Sequence, residues 1–256
     1  MPDRRAVREY APVVPAFAYR ERPAPSVLEP WLECAWQLTI DHSQPAHVHR
    51  VLPDGCIDLV WTAGTGLILV GPNSTAFTEQ MGPGASALGV RMHPGGAPAL
   101  LEIRAPELLD ARVRPSEIWG ARGERLEDDV ARAGTPERQA SVLLRWLAAQ
   151  ARGARAPDPV VAALRSRLSG AGVSIAAIAR ELGYGERQLR RRVIAEVGYG
   201  PKQLARVLRL RRTLAAARRG VSVAELAYLG GYADRAHLCH ECSALAGTTP
   251  SALLAS

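Results

Sequence analysis

Two hydrophobic rhythms divide the chain. In the first part, apolar and polar side chains alternate in short runs at 34–41, 47–52, 56–62, 66–71, 75–80 and 87–92, punctuated by Pro53-Asp54-Gly55 and Gly82-Pro83-Gly84. A period of two puts every second side chain on one face of a strand, so each run predicts a half-buried strand between turns. Short strands at roughly even spacing predict a small antiparallel barrel or jelly roll. From about Ala97 the spacing lengthens to three and four, and Thr135-Pro136 and Asp158-Pro159 have the cap-plus-proline form of helix starts. The proline- and charge-rich residues 1–30 read as an extended arm laid over the first domain, and 153–157 as a linker between domains 1–152 and 158–256. The fold class is α+β: an N-terminal antiparallel β-barrel with a helical tail, followed by an all-α domain.

The all-α part contains one pattern twice. Ser174-Ile175-Ala176-Ala177-Ile178-Ala179, Gly183-Tyr184, Leu189 and Gly198-Tyr199-Gly200-Pro201 recur as Ser222-Val223-Ala224-Glu225-Leu226-Ala227, Gly231-Tyr232, Leu238 and Gly247-Thr248-Thr249-Pro250, offset by 48 residues up to the Gly-Tyr pair and 49 beyond it. Such a period marks a repeated supersecondary unit. Ser174 and Ser222 are N-cap residues, the second with Glu225 completing a capping box. Gly183 and Gly231 end each short helix, because glycine takes the left-handed C-terminal conformation without steric cost. A second helix follows, capped in the second copy by Asp234. Each copy is thus a helix-turn-helix, whose second helix enters a DNA major groove.

Charge sharpens this reading. The chain of 256 residues carries a net +7. From Asp158 onward there are 15 Lys plus Arg against 7 Asp plus Glu, a net +8, while the preceding residues carry 17 against 18. The whole positive excess lies on the helical repeat, where a polyanion would bind. No apolar run is long enough for a membrane span and no apolar signal segment follows Met1, so the expected location is the cytoplasm. Cys34, Cys56, Cys239 and Cys242 are too few and too irregular for a disulfide framework and are expected reduced.

Residues 160–254 resemble the DNA-binding domain of the AraC/XylS transcriptional regulators. The resemblance rests on Leu182 to Arg192, Gly198-Tyr199-Gly200-Pro201-Lys202, Gly231 to Leu238 and Gly247-Thr248-Thr249-Pro250. Val193 and Cys242 stand where that family usually has a core phenylalanine, which implies smaller cores. The N-terminal half, through Arg50 to Trp61, Gly89 to Gly96 and Ile118-Trp119-Gly120, is similar to the sensory domain of a subgroup of these regulators. That implies a cupin-like barrel with a small-molecule effector, and the partners implied are double-stranded DNA at two adjacent major-groove segments, a second copy of the chain and RNA polymerase.

Candidate site residues follow. In the first unit Leu189 and Val193 turn inward, leaving Arg187, Gln188, Arg190 and Arg191 outward; the resemblance makes the arginines base readers, and their forked guanidinium suits guanine O6 and N7. In the second unit Leu238 and Cys242 turn inward, leaving Arg235, Ala236, Cys239 and His240, a poorer set suited to shape and backbone contact. A helix over 201–219, spanning roughly 28 Å, joins the units. It carries Lys202, Arg206 and Arg209 as phosphate contacts.

In the first domain His47 and His49 sit on one strand face with Asp54 or His93 in reach, open to a cupin-type metal or to ordinary hydrogen-bonded histidines; no cofactor is expected. Asp58, with Arg91 as its natural partner, is either a structural ion pair or an effector contact, with Trp61 beside them. Asp54 fits an Asx turn before Gly55. Cys239 and Cys242 form a C-x-x-C whose two sulfurs fall on different sides of the repeat, so coincidence is the simpler reading. No nucleophile, acid/base pair or phosphate-cradling loop is assembled, so no enzyme is expected. Two other readings are a DNA repair protein using Cys34 or Cys56, and a constitutive DNA-binding scaffold whose first domain only dimerises.

Overall fold

The computed structural model of the chain describes residues 17–168, 174–217, 221 and 223–255. The Ser222 cap and its capping box, residues 1–16 of the arm and the last two residues of the 201–219 helix lie outside the described residues.

The alternating runs form strands β2 Leu32–Ile40, β3 His47–Val51, β4 Ile57–Thr62, β5 Gly66–Val70, β6 Phe77–Met81 and β7 Ser86–Met92, with short β8 Arg112–Val113 after them. One further strand, β1 Phe17–Pro23, lies within the stretch read as an arm and pairs along β2 from Phe17 opposite Ile40 to Pro23 opposite Cys34. Its apolar signal is weak because it is an edge strand, exposed after Phe17. The strands do not close into a barrel: an antiparallel sheet in the order β1-β2-β7-β4-β5-β8 is accompanied by a separate β3-β6 ribbon.

The long sheet is buried on one side by helices α1 Ala97–Leu101, α3 Ala121–Arg132 and α4 Pro136–Ala151. Leu59, Leu67, Leu69, Val90 and Met92 pack there against Leu126, Val130, Leu143 and Leu147, all almost fully buried. Short α2 Pro115–Trp119 precedes α3. Thr135 caps α4 by accepting from the Arg138 amide, as its sequence predicts. The opposite sheet face meets the ribbon in a smaller cluster of Leu38, Ile40, Ala87 and Met81.

The rest is helical: α5 Pro159–Leu168, α6 Ile175–Glu181, α7 Glu186–Val197, α8 Pro201–Ala217, α9 Val223–Gly230, α10 Arg235–Ala246 and α11 Pro250–Ala255. One hydrophobic core runs through all of this part, from Val161 and Leu164 through Ile178, Leu189, Val193 and Leu204 to Leu226, Leu238 and Cys242. Among the described residues no helix is long and apolar enough to cross a membrane.

The two halves meet through close backbone approach and side-chain pairs. Gly55, at φ +80°, lets its turn lie against Tyr199 and Leu204, where a Cβ would stand 3.0 Å from the tyrosine hydroxyl. Arg211 of α8 pairs with Glu33 of β2, and Trp31 Nε1 donates to the Arg155 carbonyl at 3.1 Å.

Candidate DNA-binding surface and sensory face

The two helical units repeat at the level of individual hydrogen bonds. Gly183 and Gly231 sit at φ +76° and +70°. The following tyrosine amides reach back to the first helix, Tyr184 N to Ala179 O at 2.8 Å and Tyr232 N to Ala227 O at 2.9 Å. This closes the carbonyl end of α6 and α9 and sets the turn into the second helix. Asp234 caps α10 by accepting from the His237 amide at 2.8 Å. Ser174 occupies the N-cap position of α6 with extended backbone, yet its side chain makes no capping bond. At the start of α7 the Gln188 side chain accepts from the Gly185 amide at 3.1 Å, so this candidate reader also braces its own helix.

With Leu189 and Val193 fully buried, Arg187, Gln188, Arg190 and Arg191 are all exposed on the other side of α7. On α10, Leu238 and Cys242 are buried, Arg235, Ala236 and His240 exposed and Cys239 half-buried. Lys202 is exposed in the first turn of α8. The other two phosphate candidates are engaged within the protein: Arg206 pairs with Glu241 at 3.0 Å, and Arg209 lies over the Tyr232 ring at 5.5 Å.

Sequence reasoning missed Arg192, whose Nε donates to Asp158 at 2.6 Å and whose NH1 donates to the Tyr184 hydroxyl at 2.9 Å. Asp158 also accepts from the Val160 and Val161 amides, so one buried carboxylate caps α5 and holds α7. The Asp-Pro start marks the cap; nothing local marks the partner.

On the sheet, Arg91 stands opposite both Asp58 and Cys34 in the cross-strand register, so the three side chains share a face. Arg91 donates to Asp58 at 3.1–3.3 Å, and Trp36 Nε1 donates to the same carboxylate at 2.9 Å. The Trp36 ring can lie flat there because Gly89 has no Cβ, which would stand 2.7 Å from the indole. Asp54 makes the expected Asx turn to the Cys56 amide at 2.9 Å and also approaches Arg91 at 3.3 Å. Burial pushes the Asp58 carboxyl up to about 6, with the Arg91 charge opposing and Asp54 reinforcing.

Trp61 is not brought to this group. It lies an odd number of residues from Asp58 and packs with the helix-covered core on the other face. His47 and His49 do share a face of β3, with ring centroids 6.1 Å apart, and stack around Phe17 at 4.8 and 6.0 Å. Among the described residues no group of three or more His, Cys, Asp or Glu side chains is arranged to hold a metal ion. Burial pushes the Cys34 thiol up to about 12 and Cys56 well above its ordinary value, the reverse of a reactive thiolate.

Glu33 joins this neighbourhood to the helical half through Arg211, with His93 Nδ1 at 3.8 Å. Burial works against its charge, but the neighbouring His93 imidazole, the Arg211 hydrogen bonds and the nearby guanidinium charges hold the carboxyl well below the usual range.

A domain family of unknown function, DUF6597, matches residues 20–114, and a helix-turn-helix domain family matches residues 162–256. Comparison with curated proteins returned no match. Among solved structures, ToxT from Vibrio cholerae O395 is similar at 11% identity over 93% of this chain and 97% of that one, with a TM-score of 0.45. Unsaturated fatty acid bound ToxT from Vibrio cholerae strain SCE256 is similar at 10% identity over 82% and 94%, with a TM-score of 0.43. The AraC-like transcriptional activator CuxR is similar at 15% identity over 85% and 92%, with a TM-score of 0.23. The helix-turn-helix match spans both units and the helix that joins them, so residues 162–256 belong to that helix-turn-helix domain family, and the chain is a DNA-binding transcriptional regulator.

Proposed function

We propose that α7 is the principal base reader, with Arg187, Arg190 and Arg191 addressing base edges from the exposed side of a helix whose other side, Leu189 and Val193, is wholly buried. That division of one helix into a sealed face and a free arginine face carries the reading. Gln188 braces the start of the helix, and Arg235, Ala236, Cys239 and His240 of α10 meet the adjacent groove segment. Lys202 supplies a phosphate contact from the first turn of α8, and Arg209, about two turns further on, contributes one from over the Tyr232 ring. Residues 158–256 are the DNA-binding domain and 1–152 the controlling one. The controlling domain is a module for a small-molecule effector or for self-association, not a catalyst, and the protein works in the cytoplasm. Asp54, Asp58 and Arg91, with His47 and His49 on the facing ribbon, are the residues through which an effector would be sensed. RNA polymerase and a second copy of the chain are the expected protein partners.

The test is binding of Arg190→Ala and Arg191→Ala to a duplex selected by the full chain from a randomised pool, against a scrambled duplex. Each substitution should cost about 1–3 kcal/mol on the selected duplex and little on the scrambled one. Equal losses on both would remove α7 from base reading.

A further inference from the structure

The carboxyl end of α10 is completed by the other half of the protein. The last carbonyls of a helix have no intrahelical partner. Here Leu245 O accepts from the Ala76 amide at 2.7 Å, and Ala246 O accepts from Arg50 NH1 at 3.0 Å. A guanidinium at that end also complements the helix dipole. Two residues before Ala76, the Ser74 carbonyl accepts from Gln203 Nε2 at 2.9 Å, and Gln203 Oε1 accepts from Arg206 NH1 at 3.0 Å. Arg206 then donates through Nε to both oxygens of Glu241 on α10 at 3.1 Å. The anchor of this chain is itself fixed: Asp110 accepts from the Ser74 amide at 2.6 Å and from its hydroxyl at 2.7 Å. Glu241 has a side chain only 14% exposed, and Arg206 is paired with it at 3.0 Å.

We propose that the second recognition helix is aimed from the N-terminal half. Arg50 and the Gln203–Arg206–Glu241 relay are positioning residues for DNA reading, and Arg206 serves this relay and not a phosphate. The inference rests on α10 being a DNA reader, as proposed above. It makes residues that never touch DNA responsible for the second half-site, and it leaves α7 untouched.

The experiment uses the full chain and the duplex it selects, together with the same duplex scrambled at the second half-site. Affinity is measured against salt for wild type, Arg50→Ala, Arg206→Ala and Glu241→Gln, and exchange of the Ala76 amide is followed without DNA. A positioning role predicts about a tenfold loss for each variant on the selected duplex, no loss on the scrambled one and an unchanged salt slope. Arg206→Ala and Glu241→Gln combined should be no worse than either alone, and Arg50→Ala should speed Ala76 exchange. Arg50→Lys, which keeps a cationic donor, should recover part of the affinity. A salt slope reduced by about 0.9 in Arg206→Ala, with Glu241→Gln silent, would make Arg206 a phosphate contact and overturn the relay. Unchanged Ala76 exchange in Arg50→Ala would overturn the anchoring. If scrambling the second half-site costs wild type nothing, α10 is not a reader and the proposal falls with that assignment; if it costs wild type but the variants bind normally, the proposal alone falls.

Discussion

Arg91 and Asp58 form a two-pronged ion pair across β7 and β4, with side chains 18% and 12% exposed. Burying either charge alone is costly, and the pair is tolerable because Trp36 satisfies a further carboxylate position. Arg91→Leu leaves Asp58 without its cation and should lower stability by about 3–5 kcal/mol, read by urea unfolding. Asp58→Asn with Arg91→Leu should recover part of this, because it removes the stranded charge. A double variant as unstable as Arg91→Leu would show that packing, not charge, dominates.

The same carboxyl predicts a pH dependence. The folded value of Asp58 is raised to about 6 from an ordinary 3.8, chiefly by burial. Its contribution to stability is therefore full below pH 3.8 and lost as pH rises through 6. Asp58→Asn should remove this component, so that stability climbs more steeply, or falls less, between pH 4 and pH 6 than in wild type. Chemical denaturation at a series of pH values measures the difference.

Much of this geometry is legible in the sequence, and the rest is hidden for physical reasons. Alternation located the strands from β2 to β7, since a half-buried strand must repeat every second residue. Asp58 and Arg91 were recognisable as partners because a charge between Ile57 and Leu59 needs one. The odd spacing from Asp58 to Trp61 places them on opposite faces of β4, and Trp61 accordingly packs with the helix-covered core. Strand β1 was hidden because Tyr19 to Pro23 is exposed and reads as polar. Glu33 with Arg211 and Arg50 with Ala246 were illegible, since such pairs are fixed by how the halves dock.

Glu33 gives a prediction of opposite sign to Asp58. Its folded carboxyl is held below the ordinary 4.5 by His93 and Arg211 despite burial. The stability it confers is present above pH 4.5 and lost as pH falls toward the folded value. Glu33→Gln should therefore be less stable than wild type at neutral pH and converge on it in acid. Parallel stability curves for the two proteins would show that the Arg211 contact does not stabilise the interface.

Val193 of α7 and Cys242 of α10 are both fully buried. Val193 lies in the cluster containing Ile178 and Leu189, and a larger side chain in a close-packed core displaces its neighbours. Val193→Phe should cost about 1–3 kcal/mol through overpacking, and Leu189→Ala about 2–5 kcal/mol through the cavity it leaves. A stabilised Val193→Phe protein would reveal spare volume under α7.

Asp158 permits the two tasks of one carboxylate to be separated. It caps α5 through the Val160 and Val161 amides at 2.9 and 3.2 Å, and it holds Arg192 of α7 at 2.6 Å while being only 7% exposed itself. Asp158→Asn keeps an oxygen that can cap but removes the charge, whereas Asp158→Ala removes both. Loss of the cap alone costs about 1 kcal/mol, so Asp158→Ala should be less stable than Asp158→Asn by about that amount. Because Arg192 also donates to Tyr184 at the turn between the two helices, releasing it should loosen the base of α7 and weaken binding to the selected duplex. Asp158→Asn and Arg192→Ala should therefore share that affinity loss, and their combination should add little to it. Additive losses would mean that Arg192 acts on DNA directly and not through the buried carboxylate.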